Sequence, residues 1–147
     1  MNSAPDDNSA PVAERRIVVI DDEQRIADTL ALILRSAGYM AEVAYDGRSG
    51  LALCKEVSPD LVITDVVMPG MSGIEVAIEI RATSPACGVL LYSGQAATAQ
   101  MMDEARSQGH DFELLAKPVH PVQLLEKVKS LIRTQDDTAT LHANSPH

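Results

Sequence analysis

Four apolar runs in this 147-residue chain end on side chains able to do chemistry. Ile17-Val18-Val19-Ile20 runs into Asp21-Asp22, and Leu61-Val62-Ile63-Thr64 into Asp65. Val89-Leu90-Leu91-Tyr92 runs into Ser93, and the run from Phe112 to Ala116 into Lys117. If the runs are parallel strands, their ends lie along one edge of a sheet, where ligands of open α/β folds bind. Three carboxylates in one crevice repel: two charges about 4 Å apart at an effective dielectric near 20 cost roughly 4 kcal/mol. One lysine cannot offset three acids, so the set asks for a divalent cation. Its ligands are hard oxygens with no His or Cys among them, which favours Mg²⁺ or Mn²⁺ over zinc. Each residue also has a plainer role: Asp22 as a helix N-cap, Asp65 as the cap of a strand or turn, Ser93 as a turn former, Lys117 as a surface charge. Coincidence at four strand ends favours a shared site.

The elements that would position these residues follow from periodicity. Short apolar runs bounded by turn residues predict buried strands at Ile17–Ile20 and Leu61–Asp65 and further strands at Val89–Tyr92 and Phe112–Ala116, with a weaker one at Met40–Tyr45. Ile26, Leu30, Ile33, Leu34 and Ala37 recur at helical spacing before Gly38, and a second helix runs from Asp46-Gly47 to Ser58-Pro59. Pro69, Gly70 and Gly73 force a turn after Asp65, ahead of a helix from Ser72 to about Thr83. Residues 96–108 have helical propensity without a strong apolar stripe, which makes that helix the least firmly packed. Pro121 opens a last helix with Leu124, Leu125, Val128, Leu131 and Ile132 on one face. Strand and helix thus alternate five times, the pattern of an α/β fold with a parallel sheet.

Composition sets the bounds. The length suits one domain. Hydrophobic residues make up 46% but aromatics only 3%, so the core must be aliphatic. A formal net charge of −9 argues against a general nucleic-acid surface. Residues 1–14 and 134–147 are polar, acidic and free of periodicity, and are expected to be disordered tails around a domain at 15–133. No run approaches the roughly 18 apolar residues of a membrane span, and the N-terminus lacks a signal peptide's apolar core, so a soluble cytoplasmic protein is expected. Cys54 and Cys87 read as reduced, buried small hydrophobes. His110, His120, His142 and His147 show no ligand spacing and read as surface residues.

Asp21-Asp22, the lone Asp65 after the third strand, Ser93 and Lys117-Pro118 together resemble the receiver domain of two-component response regulators, over about residues 15–133. The resemblance implies a doubly wound, flavodoxin-like five-stranded parallel sheet of order 2-1-3-4-5, with helices on both faces. It implies Asp65 as phosphoacceptor, with Asp22 binding Mg²⁺ (or Mn²⁺) directly, Asp21 largely through water, and Asp65 and the Val67 carbonyl completing the protein ligands. Lys117 would pair with Asp65 and then with phosphoryl oxygens, and the Ser93 hydroxyl would bond to the phosphoryl group. The donor would be a phosphohistidine on a histidine kinase or phosphotransfer protein, and the only catalysis would be the domain's own phosphorylation and slow dephosphorylation. A carboxylate is a competent nucleophile for such a transfer, where positioning and charge neutralisation do most of the work.

One position departs from the family. Receivers usually carry an aromatic three residues before the lysine, where this chain has Leu114. Phe112 lies two residues earlier, on the face expected for Leu114. The usual switching route is therefore not available, and movement is expected in the Ser93–Gln95 loop and the helix after it. A flavodoxin-like cofactor binder is one rival, but Asp21-Asp22-Glu23 would repel a phosphate where such a site needs a Ser/Thr/Gly-rich loop. A pseudo-receiver that never takes phosphate is another, and a haloacid-dehalogenase-like hydrolase would need an Asp-x-Asp motif that is missing. About 14 residues follow the last predicted helix, too few for a DNA-binding or enzyme domain. A stand-alone receiver acting on a protein partner or in a phosphorelay is expected, without membrane contact.

Overall fold

A computed structural model describes residues 15–94 and 98–144, with side chains through Ile132. Strands β1 (Arg16–Ile20), β2 (Met40–Ala44), β3 (Leu61–Asp65), β4 (Gly88–Ser93) and β5 (Glu113–Ala116) form one sheet in the order β2-β1-β3-β4-β5. Every pairing is parallel. Helices α1 (Gln24–Ser36), α2 (Gly47–Val57), α3 (Gly73–Thr83), α4 (Thr98–Ser107) and α5 (Pro121–Asn144) make the crossovers and cover both faces.

Side chains alternate across each strand, so one apolar run feeds two cores. Val18, Ile20, Val62, Val89 and Leu91 pack with Cys54, Ile74, Val76, Ala77, Ile80 and Met102 from α2, α3 and α4. Ile17, Val19, Leu61, Ile63, Leu90 and Tyr92 pack on the other face with Ala27, Leu30, Leu34, Leu124 and Val128 from α1 and α5. Cys54 is buried and Cys87 half-buried, both as free thiols. Burial pushes them up to about 11 and about 12, away from thiolate chemistry.

The structure differs from the sequence reading at several places. Glu23, not Asp22, is the N-cap of α1, and it makes no side-chain cap bond. The Glu23 N–H instead donates to Asp21 Oδ1 at 2.9 Å, which leaves Asp22 exposed. Residues 134–144, expected to be disordered, continue α5 as helix. Their polar composition contains no Gly or Pro before Pro146, so nothing in the local sequence stops the helix. Residues 1–14 and 145–147 lie outside the described residues, as does the start of the helix expected from residue 96.

Phe112 precedes β5 and does not share an exposed face with Leu114: it is buried against α3 and α4, whereas Leu114 is 40% exposed. The Arg81 guanidinium lies 4.3 Å from the Phe112 ring centroid, and the His110 ring stacks on the same aromatic. His110 is thus half-buried. β5 is an edge strand, and the short helix α4 before it buries Thr98, Met102 and Ala105. Among the described residues no helix is long and apolar enough to cross a membrane.

The turn after β3 is built for close approach. Gly70 takes φ +77°, a conformation that side chains with a Cβ rarely adopt. Ser72 and Glu75 form a reciprocal capping box, with bonds of 3.2 and 2.9 Å, that starts α3. Gly73 donates its N–H to the Val66 carbonyl at 2.8 Å, and a Cβ there would collide with the Asp65 carbonyl oxygen. Gly73→Ala should therefore cost about 3 kcal/mol of stability in urea unfolding, because backbone must move to admit one methyl group. A loss below about 0.5 kcal/mol would mean that the turn is soft.

Candidate functional site

The C-terminal ends of the strands are tied to their neighbours by backbone, β1 to β2, β3 to β4 and β4 to β5. The Asp21 N–H donates to Ala44 O at 3.2 Å, Val66 N–H to Tyr92 O at 3.2 Å, and Lys117 N–H to Ser93 O at 3.1 Å. This stitching holds charged residues in fixed places on a stiff edge. Asp21 immediately follows β1, Asp65 is the last residue of β3, Ser93 ends β4, and Lys117 immediately follows β5.

Carboxylate oxygens of Asp21, Asp22 and Asp65 lie within 4.8 Å of one another. Asp21 is fully buried and Asp65 is 4% exposed, while Asp22 faces solvent, so the cluster is open on one side. Lys117 Nζ stands 3.5 Å from Asp65 Oδ1 and 3.8 Å from Asp21 Oδ2. Burial, reinforced by the Asp21 charge, pushes the Asp65 carboxyl up to about 6, with Lys117 opposing the shift. Three hard-oxygen groups on one side of an open crevice, offset by a single ammonium, fit a small divalent cation that keeps several waters. Val67 lies in the loop just past Asp65 and is 41% exposed.

Four of the five strand-end residues singled out in the sequence thus converge. The fifth, Ser93, is buried beside them, but its hydroxyl is 2.6 Å from the Thr98 hydroxyl at the start of α4. Thr98 escapes sequence reading because it becomes adjacent only once α4 folds back on β4.

Tyr92 is the second residue that sequence reasoning misses. Its side chain, 1% exposed, belongs to the core beneath α1 and α5, yet its hydroxyl donates to Asp21 Oδ2 at 2.7 Å. Lys117 Nζ lies 5.1 Å from its ring centroid. Burial first, and then the bond to Asp21, push the phenol far above its ordinary value, so it remains a donor. A signal was present: a tyrosine in an otherwise aliphatic strand needs a partner for its hydroxyl when buried. Tyr92 and Lys117 also floor a mainly apolar cleft of about 530 Å³, walled by Ile26, Thr29, Ile33 and Val119.

Comparison with known proteins agrees with this geometry. The family model described as the response regulator receiver domain matches residues 17–129, and the chain belongs to that family. It is 32% identical over 123 residues to the DNA-binding response regulator MtrA of Mycobacterium tuberculosis, covering 84% of this chain and 53% of that protein. It is also 32% identical over 136 residues to the transcriptional regulatory protein ResD of Bacillus subtilis, covering 90% of this chain and 54% of that one. The chain therefore spans about half the length of these curated relatives. Among solved structures, a CheY-like receiver domain protein from Methanospirillum hungatei superposes with a TM-score of 0.77 at 29% identity, covering 85% of this chain and 98% of that one.

The raised proton affinity of Asp65 has a measurable consequence. A carboxyl that titrates near 6 when folded and near 3.8 when unfolded binds its proton more tightly in the fold. Its contribution to stability is complete below about pH 4 and is lost as pH rises through about 6. In EDTA, Asp65→Asn should be more stable than wild type by about 2–3 kcal/mol at pH 7.5, a gain that fades as pH drops to 4. Chemical denaturation of both proteins across that range is the check, and a difference independent of pH would contradict it.

Proposed function

We propose that this receiver domain accepts a phosphoryl group on Asp65 from a phosphohistidine of a histidine kinase or phosphotransfer protein, and signals by altered partner binding or onward relay. The observation that carries the reading is the convergence of Asp21, Asp22 and Asp65 within 4.8 Å of one another, with Lys117 Nζ 3.5 Å from Asp65. The rigid end of β3 holds an Asp65 oxygen ready to attack phosphorus in line as the P–N bond to the donor imidazole breaks. The product is an acyl phosphate on Asp65 and a neutral histidine on the donor. Attack needs the carboxylate form, which prevails at neutral pH even with Asp65 raised to about 6.

Asp21, Asp22 and Asp65, with the Val67 carbonyl, would hold Mg²⁺ or Mn²⁺. When bound, that ion supplies positive charge against the transferring phosphoryl oxygens. Lys117 sits close enough to Asp65 to follow its charge onto those oxygens. The domain is thus both substrate and catalyst of its own modification.

Ser93 would complete the cradle. Turning its hydroxyl proton toward a phosphoryl oxygen would re-aim its bond with Thr98, in the first turn of a helix that buries three residues. This supports activation through the β4–α4 connection. Exposed Leu114 has no polar tip with which to copy an aromatic switch. The expected NMR shifts on adding beryllofluoride and Mg²⁺ therefore centre on Ser93, Gly94, Thr98 and α4; changes confined to Phe112 and Leu114 would refute this route.

Incubation with a small phosphodonor and Mg²⁺ should add the mass of one phosphoryl group to wild type and none to Asp65→Asn. Excess EDTA should abolish labelling. Lys117→Ala should fold normally and label about 10²-fold more slowly. Labelling of Asp65→Asn, or full labelling in EDTA, would rule out the assignment.

A further inference from the structure

We infer that Tyr92 is a positioning residue of the acidic site, fixing the Asp21 carboxylate with its hydroxyl and steadying Lys117 against its ring. Asp21 has no solvent-exposed surface, so protein donors must satisfy its oxygens. Glu23 N–H supplies one, to Oδ1 at 2.9 Å, and the Tyr92 hydroxyl supplies the other, to Oδ2 at 2.7 Å. The two bonds reach opposite oxygens and fix the rotation of the carboxylate plane. A carboxylate has about four lone-pair positions, so Asp21 retains capacity toward a cation or its water shell. Lys117 is placed by the same side chain. Its Nζ stands 5.1 Å from the ring centroid and within 4 Å of both Asp21 and Asp65, so the ring bounds one side of the ammonium's position. A single buried tyrosine thereby sets the relation between one acid of the cluster and the lysine that faces it.

This inference rests on the reading of the acids as a divalent-cation site, and extends it to a residue outside the cation's own ligands. Partners that orient a metal's ligands commonly contribute 10–100-fold to affinity. A tyrosine merely filling the core would contribute none, since phenylalanine packs the same ring.

The test compares wild type, Tyr92→Phe and Tyr92→Leu, with Mg²⁺ binding read by calorimetry and labelling by a small phosphodonor read across Mg²⁺ concentrations. Tyr92→Phe should keep the far-UV spectrum, weaken Mg²⁺ about tenfold, and change the labelling rate at saturating Mg²⁺ by less than about twofold, because the ring beside Lys117 stays. Tyr92→Leu should also lose rate at saturation. If Tyr92→Leu fails to fold, the Phe variant decides alone. Tyr92→Phe binding Mg²⁺ as tightly as wild type would overturn the inference. So would tighter binding, which would mean that the hydroxyl competes with the cation for Asp21. A wild type that neither binds Mg²⁺ nor is labelled would bring down the cation-site reading itself, whereas a wild type that does both, matched by Tyr92→Phe, removes only the role of Tyr92.

Discussion

Three carboxylates held at strand ends against one lysine are the interaction around which this molecule is arranged. Such a cluster pushes itself apart, and burial adds to the cost: Asp21 is fully buried and Asp65 nearly so. The opposing constraint comes from the sheet. β1 and β3 are adjacent, and each is buried along most of its length between two helical layers. Their parallel pairing up to Ile20 and Thr64, with backbone bonds from the strand ends to β2 and β4, holds the acids close together. A stiff centre thus carries an electrostatic load that a loop could not hold.

The fold was largely legible in the amino-acid sequence because its information is local. Four-residue apolar runs and their terminating turns are periodic signals, and Asp65, Lys117 and the Asp21-Asp22 pair follow from where those runs stop. Less legible features depend on neighbours distant in the chain. Tyr92 reads as one more apolar strand position until β1 brings Asp21 within 2.7 Å of its hydroxyl. Phe112 reads as strand until Arg81 of α3 is found over its ring. The Ser93–Thr98 pair needs α4 folded back on β4 before it exists. The continuation of α5 to Asn144 fails for another reason: polar composition is a poor stop signal when neither Gly nor Pro enforces it.

Packing is uneven in a way that suits the site. α1 buries Ala27, Leu30, Ala31 and Leu34, and α3 buries five residues including Ile74, Val76 and Ile80. α4 buries three, one of them the polar Thr98, and β5 beside it is mostly exposed. Local stability follows buried apolar contact, so the sheet edge at β5 and α4 is expected to open more readily than the strands packed under α1 and α3. The acids sit on the opposite, well-packed strands, with Ser93 and Lys117 at the boundary between the two regimes.

The alternation of β4 makes adjacent residues serve different layers. Tyr92 belongs to the α1–α5 side and holds Asp21, while Ser93 meets Thr98 of α4. Because that period is two, inserting or deleting a single residue in the strand would turn the phenol toward α4 and the small hydroxyl toward Asp21. Hydropathy would hardly change, and both attachments would be lost together. The spacing of this strand is therefore under tighter restriction than its composition, and length variation between relatives should collect in the turns outside it.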